Sequence, residues 1–149
     1  MKINAEVTVA FILGVLFCVP GRCQTPDCRT AVNTPQELAC AQQRLSSAEE
    51  DMRLAFRKAL ETYAPDAAEL EEEKHMDKLD RAEAVRYRTA MQHQLRMSQR
   101  MWLAYRKEAC ATVLTMYENG TTGPASEVGC REVLTRERTN HLRSYFVSR

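Results

Sequence analysis

The stretch SQRMWLAYRKEAC, Ser98 to Cys110, holds the only tryptophan of the chain, three basic residues and a cysteine. Wound as a helix at about 100° per residue, it brings Trp102, Tyr105 and Ala109 to one line, with Leu95 and Ser98 one to two turns earlier. Arg96, Arg100 and Lys107 fall outside that face. Arg106 sits at its edge, one turn after Trp102 and one turn before Cys110. Its aliphatic stem can cover the indole while the guanidinium reaches a carboxylate or a helix end. The stretch therefore reads as the packed face of a helix that ends at a disulfide cysteine.

The same face extends in both directions through Met91, Val113 and Met116. No Gly or Pro interrupts the chain between Pro65 and Gly120, so one central helix of about 50 residues is expected, opened by a cap at Asp66-Ala67-Ala68-Glu69. Upstream, Thr34-Pro35-Gln36-Glu37 is a capping box with proline at the first helical position. Leu38, Ala41, Leu45, Ala48, Met52, Phe56, Ala59 and Tyr63 then recur at steps of three and four until Ala64-Pro65 stops the helix. After the loop NGTTGPASEVG, a third helix is expected from about Ser126 to Phe146, with Cys130, Leu134, Leu142 and Tyr145 inward. No alternating strand pattern occurs. The expected fold is all-α: a small three-helix up-down-up bundle with one long central helix, stapled by disulfides.

The compartment is read from the other end of the chain. In MKINAEVTVAFILGVLFCVPGRCQT a lysine precedes an apolar run from Val7 to Val19 and a Pro-Gly break. That run is too short for a bilayer core, which needs about 20 residues, and has the layout of a secretory signal peptide. Residues 1–22 are expected to be removed, leaving a helical domain over 23–149, periplasmic or secreted and without a membrane span. Cys28, Cys40, Cys110 and Cys130 then lie in an oxidising compartment, an even set with three connectivities open. A Cys110–Cys130 bridge would close a loop of about 20 residues and contribute about 3 kcal/mol in the chain-entropy account. Cys28 and Cys40 would tie the N-terminal arm to the first helix. Cys23 leaves with the signal or stays as an odd thiol.

The 21 basic and 20 acidic residues nearly cancel, but their order is polarised. Asp66 to Glu83 carries eight acidic and three basic residues; Ala84 to Lys107 carries six basic residues and no acid. Such a chain can dock with a charged partner or with itself. Tyr87, Trp102 and Tyr105 interleave the basic run as in some nucleic-acid binders, but export and disulfides argue against nucleic acid. His75, His93 and His141 lie in polar helical surroundings without a nucleophile. Glu72-x-x-His75 is half of a di-iron carboxylate motif, and the remaining ligands have no counterpart. No G-x-S-x-G, P-loop or H-E-x-x-H occurs, so neither catalysis nor a cofactor is expected.

Three blocks together resemble the LprI-type lysozyme-inhibitor family of small exported bacterial envelope proteins: DCRTAVNTPQELACA, LRMSQRMWLAYRKEAC and GCREVLTRERTNHLR. The likeness runs from Asp27 to Arg143. Carried over by position, the motif falls on Cys28, Cys40, Gln99, Arg100, Trp102, Tyr105, Arg106, Cys110, Cys130, Leu134, Thr135, Arg136, Arg138 and Leu142. The segment Ala64 to Arg86 is longer and more acidic than the family linker. The resemblance implies a non-enzymatic protein whose partner is another protein, lysozyme being the candidate. The expected contact surface is the acidic segment, with Glu71, Glu72, Glu73, Asp77 and Asp80, while Arg100, Trp102, Tyr105, Arg106, Arg136 and Arg138 serve the scaffold. An adaptor or assembly role on helical faces is the alternative, and the oligomeric state stays open.

Overall fold

The computed structural model describes residues 28–31, 34–117 and 120–147. The expected signal segment and Cys23 lie outside the described residues. Four α-helices follow one another: α1 Thr34–Glu61, α2 Ala67–His75, α3 Lys78–Met116 and α4 Gly123–Leu142. A π-helical turn, Arg143–Val147, continues α4. Among the described residues there is no strand.

Among the described residues the all-helical expectation holds, but there are four helices rather than three. The predicted central helix is cut at Met76-Asp77, which leaves a 9-residue α2 and a 39-residue α3. The cut needs neither Gly nor Pro. Asp77 leaves the helical region, at φ −66° and ψ 168°, and its carboxylate accepts from the backbone N–H of Leu79 and Asp80. An Asp N-cap satisfies donors that a continuing helix would have used itself, so it starts a new helix. At the other end of α2, Asp66 and Glu69 form the expected reciprocal capping box.

Helix α4 begins three residues earlier than expected, with Pro124 in its first turn. Gly123 is buried there, and a Cβ would come within 3.2 Å of Leu114 Cδ1 and 3.3 Å of Tyr117 Cβ. The Gly123 backbone therefore packs directly on the Leu114 and Tyr117 side chains where α3 turns into α4. Helix α4 packs chiefly on α1 and secondly on α3.

The buried stripe of α1 is made largely of alanine: Ala41, Ala48, Ala55 and Ala59, with Leu45 and Met52 between them. Small side chains let α4 come close, which suits the strong contact between these two helices. One core cluster joins Met52, Ala55 and Ala59 to Leu95 of α3 and Leu142 of α4. Phe56, Leu60, Trp102, Phe146 and Val147 close over it. A second cluster, Ala41, Leu45 and Val128, lies nearer the start of α1 under Leu38. The π turn is held by the Thr62 hydroxyl, which donates to the Phe146 carbonyl at 2.8 Å.

Two staples fix the ends. Cys28 is bonded to Cys40, and Cys110 to Cys130. The second joins α3 to α4 across the Gly-containing turn, where Cys110 is fully buried.

Candidate functional site

Two features stand out beyond the apolar core. One is a polar joint in the middle of the bundle; the other is a charged tip where α2 folds back on α3.

The joint is built on Arg106. Its side chain is only 8% exposed, whereas Tyr105, expected on the packed face, is 59% exposed. The seam is thus rotated by one residue from the expected one, because polar groups occupy inward positions that an apolar count passes over. The Arg106 guanidinium carbon stands 5.2 Å from the Trp102 ring centroid. One terminal nitrogen lies 2.9 Å from Glu49 of α1 and donates to the Thr135 hydroxyl of α4 at 2.7 Å. That hydroxyl donates in turn to the Arg131 carbonyl at 2.6 Å. A buried cation survives in this way only when it is paired and fully hydrogen-bonded.

Gln99, one turn nearer the start of α3, extends the network. It accepts from Arg138 of α4 at 3.1 Å and donates to Met52 Sδ at 3.3 Å. Arg138 also donates to Ser98 at 2.9 Å, and burial lowers its pKa from the ordinary value. Arg136 does something different: it lies on the surface and pairs with Glu132, which also takes Arg44 of α1, both at 3.0 Å. Arg100 is exposed and touches Met97. Gln99, Thr135 and Thr139 are buried, and only the last has no place in the family motif named above.

The tip gathers the acidic residues but gives them unlike tasks. Glu71 is exposed and pairs with Lys74 at 2.6 Å; Glu72 is exposed. Glu73 points inward, is buried, and forms an ion pair with Arg88 of α3. Asp77 caps α3, and the Asp80 and Leu79 backbone N–H groups hold its carboxyl below the ordinary 3.8. Asp80 sits exposed in the first turn of α3. Arg81 ties the fold-back, donating to the carbonyls of Glu73 at 2.7 Å and of Lys74 and Met76 at 3.2 Å. The tip therefore closes through charge and backbone hydrogen bonds. Its apolar side chains remain outside: Leu70, Val85 and Tyr87 are exposed, and Leu79 is 81% exposed.

Between α1 and α3 runs an open groove. One part, about 470 Å³, is lined by Glu49, Met52, Phe56, Gln99, Leu103 and Arg106 among others. An adjoining part of about 460 Å³ shares Phe56 and Gln99 and adds Thr89, Gln92, His93, Arg96 and Arg100. Among the described residues, no cluster of three or more His, Cys, Asp or Glu side chains is placed to hold a metal ion. Nor is any described helix long and apolar enough to cross a membrane.

Comparison with known proteins adds a family. The family described as "Lysozyme inhibitor LprI" matches residues 27–142, most of the chain. A protein of Rhizobium meliloti (strain 1021), named "Uncharacterized protein R02472", is 29% identical over 140 residues, which cover 91% of this chain and 93% of the relative. No solved structure matches.

Proposed function

Because the chain belongs to the LprI lysozyme inhibitor family, we propose that it is an exported binding protein that inhibits lysozyme-type peptidoglycan hydrolases by occupying or covering their cleft. The family is one of inhibitors, so the expected activity is recognition of a protein and not chemistry on a substrate. The N-terminal segment 1–22 serves as the signal peptide in this reading, and the two disulfides suit the oxidising compartment it leads to.

The observation that carries the reading is the composition of the tip. Glu71, Glu72 and Asp80 are exposed beside the exposed Leu70 and Leu79, on a hairpin that caps and ion pairs hold in shape. Glycoside hydrolases of this kind work with a carboxylate pair in a cleft and are often strongly basic. An acidic projection speeds encounter with such a partner, and exposed leucines supply the area to hold it. Of the five acidic residues expected to form the surface, Glu73 and Asp77 act in this reading as supports for the other three.

The test is direct. Purified oxidised protein is added to lysozyme acting on bacterial cell walls at low salt. Slowed lysis at micromolar protein supports the reading, and an unchanged rate for every lysozyme class tried removes it.

A second reading has an observation of its own. The distinctive family residues Gln99, Trp102, Arg106, Thr135 and Arg138 are spent on joining helices. A motif that builds a scaffold does not by itself transmit an inhibitory surface. A non-inhibitory envelope adaptor that holds its partner on the same tip would keep the motif and the fold. Capture of an envelope protein by a chain inactive against lysozymes would favour it.

A further inference from the structure

Among the described residues several arginines are ion-paired, while Arg57, Arg81, Arg86, Arg96, Arg100 and Arg138 are not. Arg44, Arg53, Arg88, Arg106, Arg131, Arg136 and Arg143 each have a carboxylate within 4 Å. Arg86, Arg96 and Arg100 have none among the described residues; Arg96 donates only to Gln92, and Arg100 only to Met97. These three belong to one stripe of α3. Arg86, His93 and Arg100 recur at seven residues, with Thr89 and Arg96 between them and Leu103 after, and all six are exposed. Steps of three and four keep them on one face of the helix. That face borders the α1–α3 groove, whose wall includes the half-buried Phe56.

The opposite composition stands at the end of the same helix. The tip presents Glu71, Glu72 and Asp80 with the exposed Leu70 and Leu79. One surface is acidic around leucine; the other is basic around phenylalanine. They match in charge and in apolar content. From Asp80 to Arg96 and Arg100 is about 24–30 Å along the axis at 1.5 Å per residue. The helix between them keeps Asp80 and the turn before it away from Arg96 and Arg100 of the same molecule, although α2 itself reaches back as far as Arg88. In two copies with antiparallel α3 helices, each tip would lie over the other's groove, so both contacts form together and the pair closes on itself.

We propose that the basic groove beside α3 receives the acidic tip of a second copy of this chain. The pairing does not require that the tip bind any other protein, but it hides that surface while it lasts and so competes with such a partner. Its attraction is between exposed charges, so it weakens as salt shortens the screening length from about 30 Å at 0.01 M to about 3 Å at 1 M.

The experiment is sedimentation velocity on the full oxidised chain over a range of concentrations, in about 10 mM and 500 mM salt. A dimer at low salt that dissociates at high salt is expected. R96E/R100E and E71K/E72K should each be monomeric at low salt, and circular dichroism checks that each remains helical. Mixed one to one, the two variants should associate again, since each offers the charge the other has lost. R96Q/R100Q, with no reversed charge, should raise the dissociation constant at least tenfold. A wild-type chain that stays monomeric at low salt overturns the proposal, as does a dimer indifferent to both variants or a mixture that does not re-form. Binding of a polyanion such as heparin without self-association would also overturn it, by assigning the stripe to another class of ligand.

Discussion

Arg106 and Glu49 join α3 to α1 through a contact of 2.9 Å beneath the face of Trp102, and the same nitrogen reaches Thr135 of α4. One guanidinium thus touches all three long helices. Replacing it by alanine removes an ion pair, a charge-assisted hydrogen bond and the cover of the indole. Arg106→Ala should cost about 3 kcal/mol in urea unfolding, read as a lower midpoint at unchanged slope. Arg106→Lys keeps the charge but loses the flat guanidinium that lies over the Trp102 ring and places the shared nitrogen, and should lose about 1–2 kcal/mol. A midpoint unmoved by Arg106→Ala would show that the joint is not structural.

The alanine seam of α1 makes a different demand. Ala48 and Ala55 are 1% and 2% exposed against α4. A larger side chain at either position must push the two helices apart, since packed interiors have little room to yield. Ala48→Leu should destabilise by about 1–3 kcal/mol. The neighbouring Ser47 is exposed, and Ser47→Leu should be nearly neutral, which separates crowding from a general effect of added leucine.

How far the fold was readable follows from these residues. The α1 stripe and the Asp66 cap were plain in the sequence because apolar spacing and capping chemistry are local. The break at Asp77 carries neither Gly nor Pro, and its only local sign is an Asp followed by an acidic first turn, which is a helix-start signal. The α3 seam lies one residue away from the apolar stripe because this core accepts the polar Gln99, Arg106, Thr135 and Thr139. Their spacing carried the signal: Gln99, Arg106 and Cys110 follow one another at seven and four. The inward turn of Glu73 had no local sign. It depends on Arg88, fifteen positions away and brought near only by the fold-back.

The Cys110–Cys130 bridge closes a loop of 20 residues at the far end of α3. Cys110→Ala with Cys130→Ala should lower stability by about 3 kcal/mol through the freedom regained by the unfolded chain. The loss should appear equally when the oxidised wild type is compared with the reduced one, after allowance for the Cys28–Cys40 bridge by its own alanine pair. Equal stability of the oxidised wild type and the Cys110/Cys130 double variant would remove the entropic account of this staple.

Stability should also respond to acid through Glu132. Burial raises its pKa, but the hydrogen bonds and charges of Arg136 and Arg44 outweigh burial and leave it below the ordinary 4.5. The folded state therefore binds this proton less readily than the unfolded state. The stability it contributes is complete above pH 4.5 and is lost as pH falls through the lowered folded value. Asp77, held below 3.8 by its two backbone donors, acts in the same sense at lower pH. Glu132→Gln should be less stable than wild type at pH 7, and the two should converge as the pH is lowered below 4.5, read by thermal unfolding at each pH. A gap that stays constant through that range would show that the Arg44–Glu132–Arg136 bridge does not link protonation to folding.

The tip allows steering to be separated from shape, because its glutamates differ in burial within three consecutive positions. Glu71 and Glu72 are exposed, so Glu71→Gln with Glu72→Gln should leave the fold intact. Against a basic hydrolase, the double variant should bind several-fold more slowly at low salt with little change in dissociation, since exposed charge acts mainly on encounter. Raising the salt should erase the difference. Glu73→Gln removes the partner of Arg88 and leaves that guanidinium partly buried without a carboxylate. It should loosen the hairpin, read as faster amide exchange in α2 while the three long helices keep their protection. Binding should then fail through faster dissociation, because the leucines are no longer held in place. If Glu71/Glu72 and Glu73 variants instead slowed association alike and spared exchange, the tip would be acting as diffuse charge and the inward pair with Arg88 would have no part in recognition.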